Sequence, residues 1–302
     1  MKYGYFTLDV FTGERFGGNP LAVLPYADGL DGDQMQRIAR EFNLSETTFV
    51  LPPRETDNTA HVRIFTPAAE MPFAGHPTIG TAIVLAEIAE AGNDAFERQI
   101  RLEEQVGLLS VEVTKQREMP PFGQFTNAVL PEPVADVPPV DMVAKALSLS
   151  PDDVGAGGHA PGLHVAGNTF LFAPLRDMDA VARAEIEPAA WKEISGGRGW
   201  VGVFVYTQGG ESSAAHYRAR MFGPDFGVPE DPATGSAAAT FPGQIAASED
   251  LSDGTHKWFV EQGYEMGRPS QIHIEADVAG GALTAVRVGG RAVRVSQGEI
   301  EV

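Results

Sequence analysis

His61 to Ala82 reads HVRIFTPAAEMPFAGHPTIGTA, and His216 to Ala239 reads HYRARMFGPDFGVPEDPATGSAAA. Arg63, Phe65, Pro67 and Pro72 recur as Arg220, Phe222, Pro224 and Pro229 at a constant offset of 157 positions, so the two stretches are copies of one pattern. Each copy runs from a strand-like segment through a Pro/Gly elbow into small residues that can start a tightly packed helix, over 75–87 in the first and 235–247 in the second. Weaker echoes keep the same order. Gly18-Asn19 and Leu21 return as Gly167-Asn168 and Phe170, and Gln99-Ile100-Arg101-Leu102-Glu103 as Gln271-Ile272-His273-Ile274-Glu275, with offsets of 149 and 172 that drift as loops change length.

The chain therefore reads as two homologous halves, with a Pro-rich passage from Pro120-Pro121 to Pro138-Pro139 between them and a boundary near 125–130. The expected domains are 1–127 and 128–288. Strands at 292–296 and 299–302 have no partner in the repeat and are expected to pack back onto the first domain. In such a pseudo-symmetric pair a ligand site is expected in the cleft between the halves, where two helix N-termini can face one anion.

Composition narrows the function. At 302 residues, 43% of them hydrophobic, the chain can build ordinary cores. With 22 basic against 41 acidic side chains the net charge is −19, the wrong sign for a nucleic-acid groove or a polybasic membrane contact. A small molecule is left as the expected partner. No apolar run approaches the ~20 residues of a membrane span, and the chain opens directly into strand-like sequence, so a cytoplasmic protein is expected. Cysteine is absent, which removes disulfides, thiolate metal sites and cysteine nucleophiles or bases. His159 and His164 flank a Gly/Pro loop, but no metal-binding or phosphate-cradling motif is present, and neither metal nor cofactor is expected.

In chain order, Tyr3 to Val10 and Leu21 to Leu24 read as strands, and Asp33 to Phe42 as an amphipathic helix with Met35, Ile38, Ala39 and Phe42 on one face. Asn43-Leu44-Ser45-Glu46 then leads into the β-rich run Thr47 to Leu51. Strands follow at 62–65, 99–104 and 108–114. The second half is expected to hold a helix at 140–147, strands at 165–173 and 201–207, the second elbow and helix, and closing strands from Gln271 onward.

Four ordered motifs carry a resemblance over essentially the whole chain: Asp9-Val10-Phe11-Thr12 with Gly18-Asn19-Pro20, Leu44-Ser45-Glu46-Thr47, Gly75-His76-Pro77-Thr78, and Glu230-Asp231-Pro232-Ala233-Thr234-Gly235-Ser236-Ala237. Together they resemble the PhzF family of phenazine biosynthesis. The resemblance implies an α+β, diaminopimelate-epimerase-like fold: two pseudo-symmetric domains, each a β-sheet rolled around a central helix, often in a homodimer. It also implies a cofactor-independent isomerase that moves a proton on a small carboxylate substrate, with trans-2,3-dihydro-3-hydroxyanthranilate-like compounds as the leading candidates. Glu46 takes the place of the family's catalytic carboxylate, with His76 and Asp231 as its catalytic partners and Ser45, Gly75, Gly235 and Ser236 as substrate contacts. Epimerases of this fold use one cysteine from each half. Here the elbows carry Ala74-Gly75 and Asp231, so that two-cysteine chemistry is excluded.

Each of these residues also has a plainer reading. Asn43 and Glu46 have the spacing of a helix capping box, although Thr47-Thr48-Phe49-Val50 makes a poor first helical turn and a good strand. A carboxylate at a helix-to-strand corner can project into a cleft, where burial raises its pKa toward the range useful for proton transfer. His76 can serve as a packing residue at a helix start, where imidazolium is disfavoured and a neutral ring hydrogen-bonds. Asp231 can cap the second helix. Gly75, Gly235 and Ser236 read as backbone donors for a carboxylate, with added strain on any side chain at Gly235 if its φ is positive. A small-anion binding protein without turnover, and a lyase using the same carboxylate base, share this pattern of residues.

Overall fold

A computed structural model describes residues 1–226 and 228–302; Gly227, in the second elbow, lies outside the described residues. The chain divides into two compact units, one of residues 1–126 with 289–302 and the other of residues 127–288.

In the first unit, strands Lys2–Val10 and Asn19–Leu24 form an antiparallel pair. Asn19–Leu24 then runs parallel to Glu46–Leu51, which is antiparallel to Ala60–Phe65. Ala60–Phe65 pairs parallel with Phe96–Glu104, and that strand turns back as the hairpin Gly107–Lys115. The second unit repeats this order of pairings with Gly162–Ala166, Asn168–Pro174, Gly202–Gln208, Tyr217–Gly223, Gly254–Gln262 and Ser270–Ala279. A mixed sheet of this kind needs covered connections for its parallel pairs, and helices Gly32–Phe42 and, in the second unit, Met178–Arg183 and Pro188–Ser195 supply them.

Helix Gly75–Ala89 lies against six strands of the first unit, and helix Gly235–Ser248 against strands of the second. Both are apolar nearly all round, the signature of a helix buried on every face. Close approach explains Gly80: a Cβ there would come within 2.5 Å of Leu21 and 2.8 Å of Val10. Helix Gly32–Phe42, by contrast, covers the outside of its sheet with Met35, Ile38 and Ala39 and is held at its start by an Asp31/Gln34 capping box. Among the described residues no helix is long and apolar enough to cross a membrane.

Three sequence expectations change. The segment 165–173 is a hairpin of two strands, Gly162–Ala166 and Asn168–Pro174, turning on Gly167 at φ 89°. The closing segments form one strand, Ala282–Glu301, whose end pairs with Lys2–Val10 across an irregularity at Thr7/Leu8. The echo of Gln99–Glu103 in Gln271–Glu275 aligns the wrong strands. By pairing, Phe96–Glu104 corresponds to Gly254–Gln262, while Gln271 lies in the return strand of that hairpin. Both strands of a hairpin alternate apolar and polar residues with the same period, so sequence alternation alone cannot tell one from the other.

Within the elbow the offset grows from 157 to 160, because Met71 pairs with Ile64 as Asp231 does with Met221; Pro72 therefore matches Pro232 and not Pro229, and in this frame ion pairs align as well as strands. Arg63 holds Glu70 through two bonds of 2.7 and 2.8 Å, and Arg220 holds Glu230 through two of 2.8 and 3.0 Å. Glu103 accepts from the backbone N–H groups of Arg54 and Glu55, and Glu261 from those of Glu211 and Ser212. Bonds from the Asn58 side chain and from these two N–H groups pull the Glu103 carboxyl down to about 2.

The two arginines differ in surroundings. The Arg63 pair is about one-quarter exposed, whereas the Arg220 side chain is 9% exposed and also donates to the carbonyls of Val181, Ala182 and Ala184. Removing the buried Arg220 leaves the half-buried Glu230 carboxylate without its cation and the carbonyls of Val181, Ala182 and Ala184 without this donor. Arg220→Met is therefore expected to lower stability by ~3–5 kcal/mol, and Arg63→Met by about 1 kcal/mol. Urea denaturation of both variants checks the ordering; equal losses would contradict it.

Candidate active site

Glu46 reaches its place through the end of an outer helix. Helix Gly32–Phe42 stops at Asn43, which adopts the left-handed conformation at φ 50° and donates its N–H to the Ala39 carbonyl. Asn43 is thus the helix C-cap, and the capping-box reading of Asn43 and Glu46 falls away. After Leu44 and Ser45, which are half-buried, Glu46 opens strand Glu46–Leu51 beside Leu21 of the parallel neighbour. Strand alternation puts Glu46 and Thr48 on one face, and the Thr48 hydroxyl lies 2.8 Å from that of Thr81 on the buried helix. That contact ties the strand carrying Glu46 to the helix carrying His76.

Glu46 Oε2 and His76 Nε2 are 3.0 Å apart, with side-chain exposures of 16% and 5%. Both atoms are closed to solvent, and neither has a hydrogen-bond partner among the described residues; they meet at ion-pair distance without the alignment of a hydrogen bond. Buried carboxylate and imidazole atoms are seldom left so poorly satisfied. A hydrogen bond between them would take one hydrogen, which the chemistry of either the ring or the carboxyl group can supply. Gly75 precedes His76 in the first turn, and the N-cap, Ala74, offers no side-chain bond, so the first-turn N–H groups of this helix have no side-chain cap.

The second unit places Asp231, Gly235 and Ser236 together at its own helix start. Asp231 ends strand Val228–Asp231 and accepts a 2.5 Å bond from the Thr234 hydroxyl. Thr234 is the N-cap, and its own side chain makes no cap bond to the first-turn N–H groups. Neither Gly75 nor Gly235 has a positive φ, which removes the expectation of backbone strain at Gly235.

Aligning the units by their pairings exposes an asymmetry. Gly202 takes the place of Glu46, since it opens the equivalent strand opposite Phe170 as Glu46 does opposite Leu21. No side chain fits at Gly202, because a Cβ would run into the Phe222 carbonyl. Ser236 takes the place of His76. No carboxylate–imidazole pair therefore stands at the equivalent place in the second unit, whose His159–Glu249 contact of 2.9 Å is made by other elements.

Sequence reasoning missed Gln262, which is fully buried. Its amide donates to the Asp231 carbonyl at 2.7 Å and to the Thr234 hydroxyl at 3.0 Å, and accepts from Thr234 N–H at 3.3 Å. The misplaced Gln99/Gln271 echo hid it; the true offset near 158 would have set Gln262 against Glu104. Among the described residues no group of three or more acidic or histidine side chains is arranged to hold a metal ion.

The family model for phenazine biosynthesis-like proteins matches residues 8–298. The chain belongs to this PhzC–PhzF family. An uncharacterized isomerase of Mesorhizobium japonicum is 42% identical over 300 residues, covering 98% of each chain. The trans-2,3-dihydro-3-hydroxyanthranilate isomerase of Pseudomonas aeruginosa is 35% identical over 302 residues, covering 97% of this chain and 98% of the relative. A Bacillus anthracis phenazine biosynthesis protein of the PhzF family shares the fold, with a TM-score of 0.87 at 23% identity and complete coverage of both chains. The protein is an isomerase of the PhzF family.

Gln262→Met keeps the volume of the side chain but removes every bond it makes around Asp231 and Thr234. A loss of ~1–3 kcal/mol in urea unfolding is expected, as for buried groups left unsatisfied. Unchanged stability would mean that the Thr234–Asp231 bond holds this turn unaided.

Proposed function

We propose that this isomerase uses Glu46 as a single acid–base group that removes a proton from a carbon of a small carboxylate substrate and returns it elsewhere on the same conjugated system. The observation that carries this reading is the buried contact between Glu46 Oε2 and His76 Nε2, with no other polar partner for either atom. The Glu46 carboxylate accepts the proton as the C–H bond breaks, and the electron pair moves into the π system of the substrate. The resulting carboxylic acid then delivers the proton to a second carbon, so the overall change needs no oxidant or reductant. His76, aimed at the same oxygen, fixes the carboxylate and can share the proton it gains.

Substrate-binding roles are proposed for the remaining residues. Ser45 adjoins the base, and the backbone N–H groups at the helix start with Gly75 are suited to a carboxylate. Asp231, held by Thr234, is a fixed polar group suited to an amine or hydroxyl of a substrate, and Gly235 and Ser236 offer a second set of backbone donors. The diaminopimelate-epimerase-like arrangement, with a sheet rolled around each buried helix, is the fold reading that agrees with the pairings in each unit. The leading substrate is trans-2,3-dihydro-3-hydroxyanthranilate or a close analogue, supported by the Pseudomonas aeruginosa relative at 35% identity.

Glu46→Gln tests the base. The amide is nearly isosteric but cannot cycle a proton, so turnover of trans-2,3-dihydro-3-hydroxyanthranilate is expected to fall ~10²–10⁴-fold, while circular dichroism and substrate affinity stay close to wild type. A variant with near-normal kcat would remove Glu46 from the role of base.

A further inference from the structure

Glu104 ends strand Phe96–Glu104 and is 6% exposed. Its Oε1 lies 2.7 Å from the Thr78 hydroxyl, which lies 2.9 Å from the Ala74 carbonyl. Its Oε2 is buried with no hydrogen-bond partner among the described residues. Charged groups on the elements around it are engaged elsewhere: His61 with Arg54, Arg63 with Glu70, Lys115 and Arg294 with Glu87, Glu112 with Gln99, and neighbouring Glu103 with the loop at 54–58. His76, in the turn that Thr78 braces, faces Glu46.

The hydrogens in this chain of contacts can be counted. Thr78 has one hydroxyl hydrogen and two oxygen neighbours within 2.9 Å. If Glu104 were ionised, both neighbours would be acceptors only and one short O···O contact would lack a hydrogen. A carboxylate holding one hydrogen bond and no cation would also be left in an apolar interior, where an unpaired charge is strongly disfavoured. If Glu104 carries a proton, each contact has its hydrogen: Glu104 O–H donates to Thr78 Oγ1, and Thr78 O–H donates to the Ala74 carbonyl.

The second unit gives independent support. The residue that ends the equivalent strand is Gln262, a neutral side chain with an acceptor and a donor, bonded to the turn that opens helix Gly235–Ser248. A protonated carboxyl group offers the same two functions in nearly the same shape. We propose that Glu104 is a positioning residue that works as a neutral carboxylic acid, the counterpart of Gln262, and fixes the turn Ala74 to Thr78 that presents His76. The functional part of this inference rests on the role proposed for His76; the protonation state does not.

Burial pushes the Glu104 carboxyl up to about 8, opposed only by the Thr78 bond. The sign of the pH effect follows. In the unfolded chain this side chain ionises near pH 4.5, whereas the folded protein keeps it protonated to about pH 8. Over that window the folded state binds more protons than the unfolded state, so Glu104 makes stability fall as pH rises, by up to tenfold in the unfolding constant per pH unit; above the window the effect levels off.

The test compares wild type with Glu104→Gln and Glu104→Ala. Infrared spectra in D₂O at pH 6 should show a protonated-carboxyl C=O band in wild type that Glu104→Gln lacks. Thermal midpoints between pH 5 and 8 should fall more steeply in wild type than in Glu104→Gln. With trans-2,3-dihydro-3-hydroxyanthranilate, Glu104→Ala should lower kcat and Glu104→Gln should rescue most of the loss; wild-type kcat is expected to decline above pH 8, and Glu104→Gln to decline less. Absence of the wild-type band, parallel pH profiles of stability, or a Glu104→Gln variant that does not fold would each overturn the proposal. If the band and the stability profiles behave as expected while wild type shows no turnover, the substrate reading fails and the neutral acid stands.

Discussion

A helix buried on all sides brings the unpaired N–H groups of its first turn into the protein interior, and the first unit is built around that constraint. Ala74 cannot cap helix Gly75–Ala89 with a side chain, so the turn is held from within by Thr78 and from outside by Glu104 and the strand opened by Glu46. The polar groups that a fold would otherwise spend on capping stay open at the place where a carboxylate-bearing substrate is proposed to bind. Stability and chemistry meet in the same few residues: Thr48 against Thr81 sets strand and helix together, and Glu46 and His76 are thereby brought within 3.0 Å.

Duplication explains why the structural polar groups come in pairs and the chemical ones do not. The Arg63–Glu70 and Arg220–Glu230 pairs, and the carboxylates of Glu103 and Glu261, repeat because both units must brace the same elbow and the same loop. Glu46 and His76 are matched by Gly202 and Ser236, and at Gly202 the backbone of Phe222 leaves no room for a side chain. At this place one unit carries the Glu46–His76 contact; the other carries hydroxyl, carboxylate and amide groups around Asp231. This division suits a reaction in which one group both removes and returns the proton, without the symmetric two-base arrangement of the cysteine-dependent epimerases.

Much of this was legible in the sequence because Arg, Pro and Gly mark elbows at fixed positions. The offset of 157 aligned Arg63 with Arg220 but not their partners, since Glu70 and Glu230 are 160 apart, and the β-branched run after Glu46 placed it at the start of a strand. The hairpin strands were harder to align, since alternation repeats every two residues and Gln271 imitates Gln99 as well as its true partner would. Glu104 and Gln262 were hidden for a related reason: a charged residue at the end of an alternating strand reads as an exposed one, and only the packing of the helix start above it shows that Glu104 is buried. The contact between Glu46 and His76, thirty positions apart, depends on the parallel pairing of Glu46–Leu51 with Asn19–Leu24, which no local pattern announces.

The most direct measurement of the central claim is the crystal structure of Glu46→Gln soaked with trans-2,3-dihydro-3-hydroxyanthranilate, in which the removed acid–base function should trap the substrate unreacted. The account predicts a C–H carbon of the substrate within ~3.5 Å of the side chain at position 46, the spacing of a reactive complex, with His76 against the same side chain. A substrate bound in an ordered pose with both side chains out of reach would contradict it.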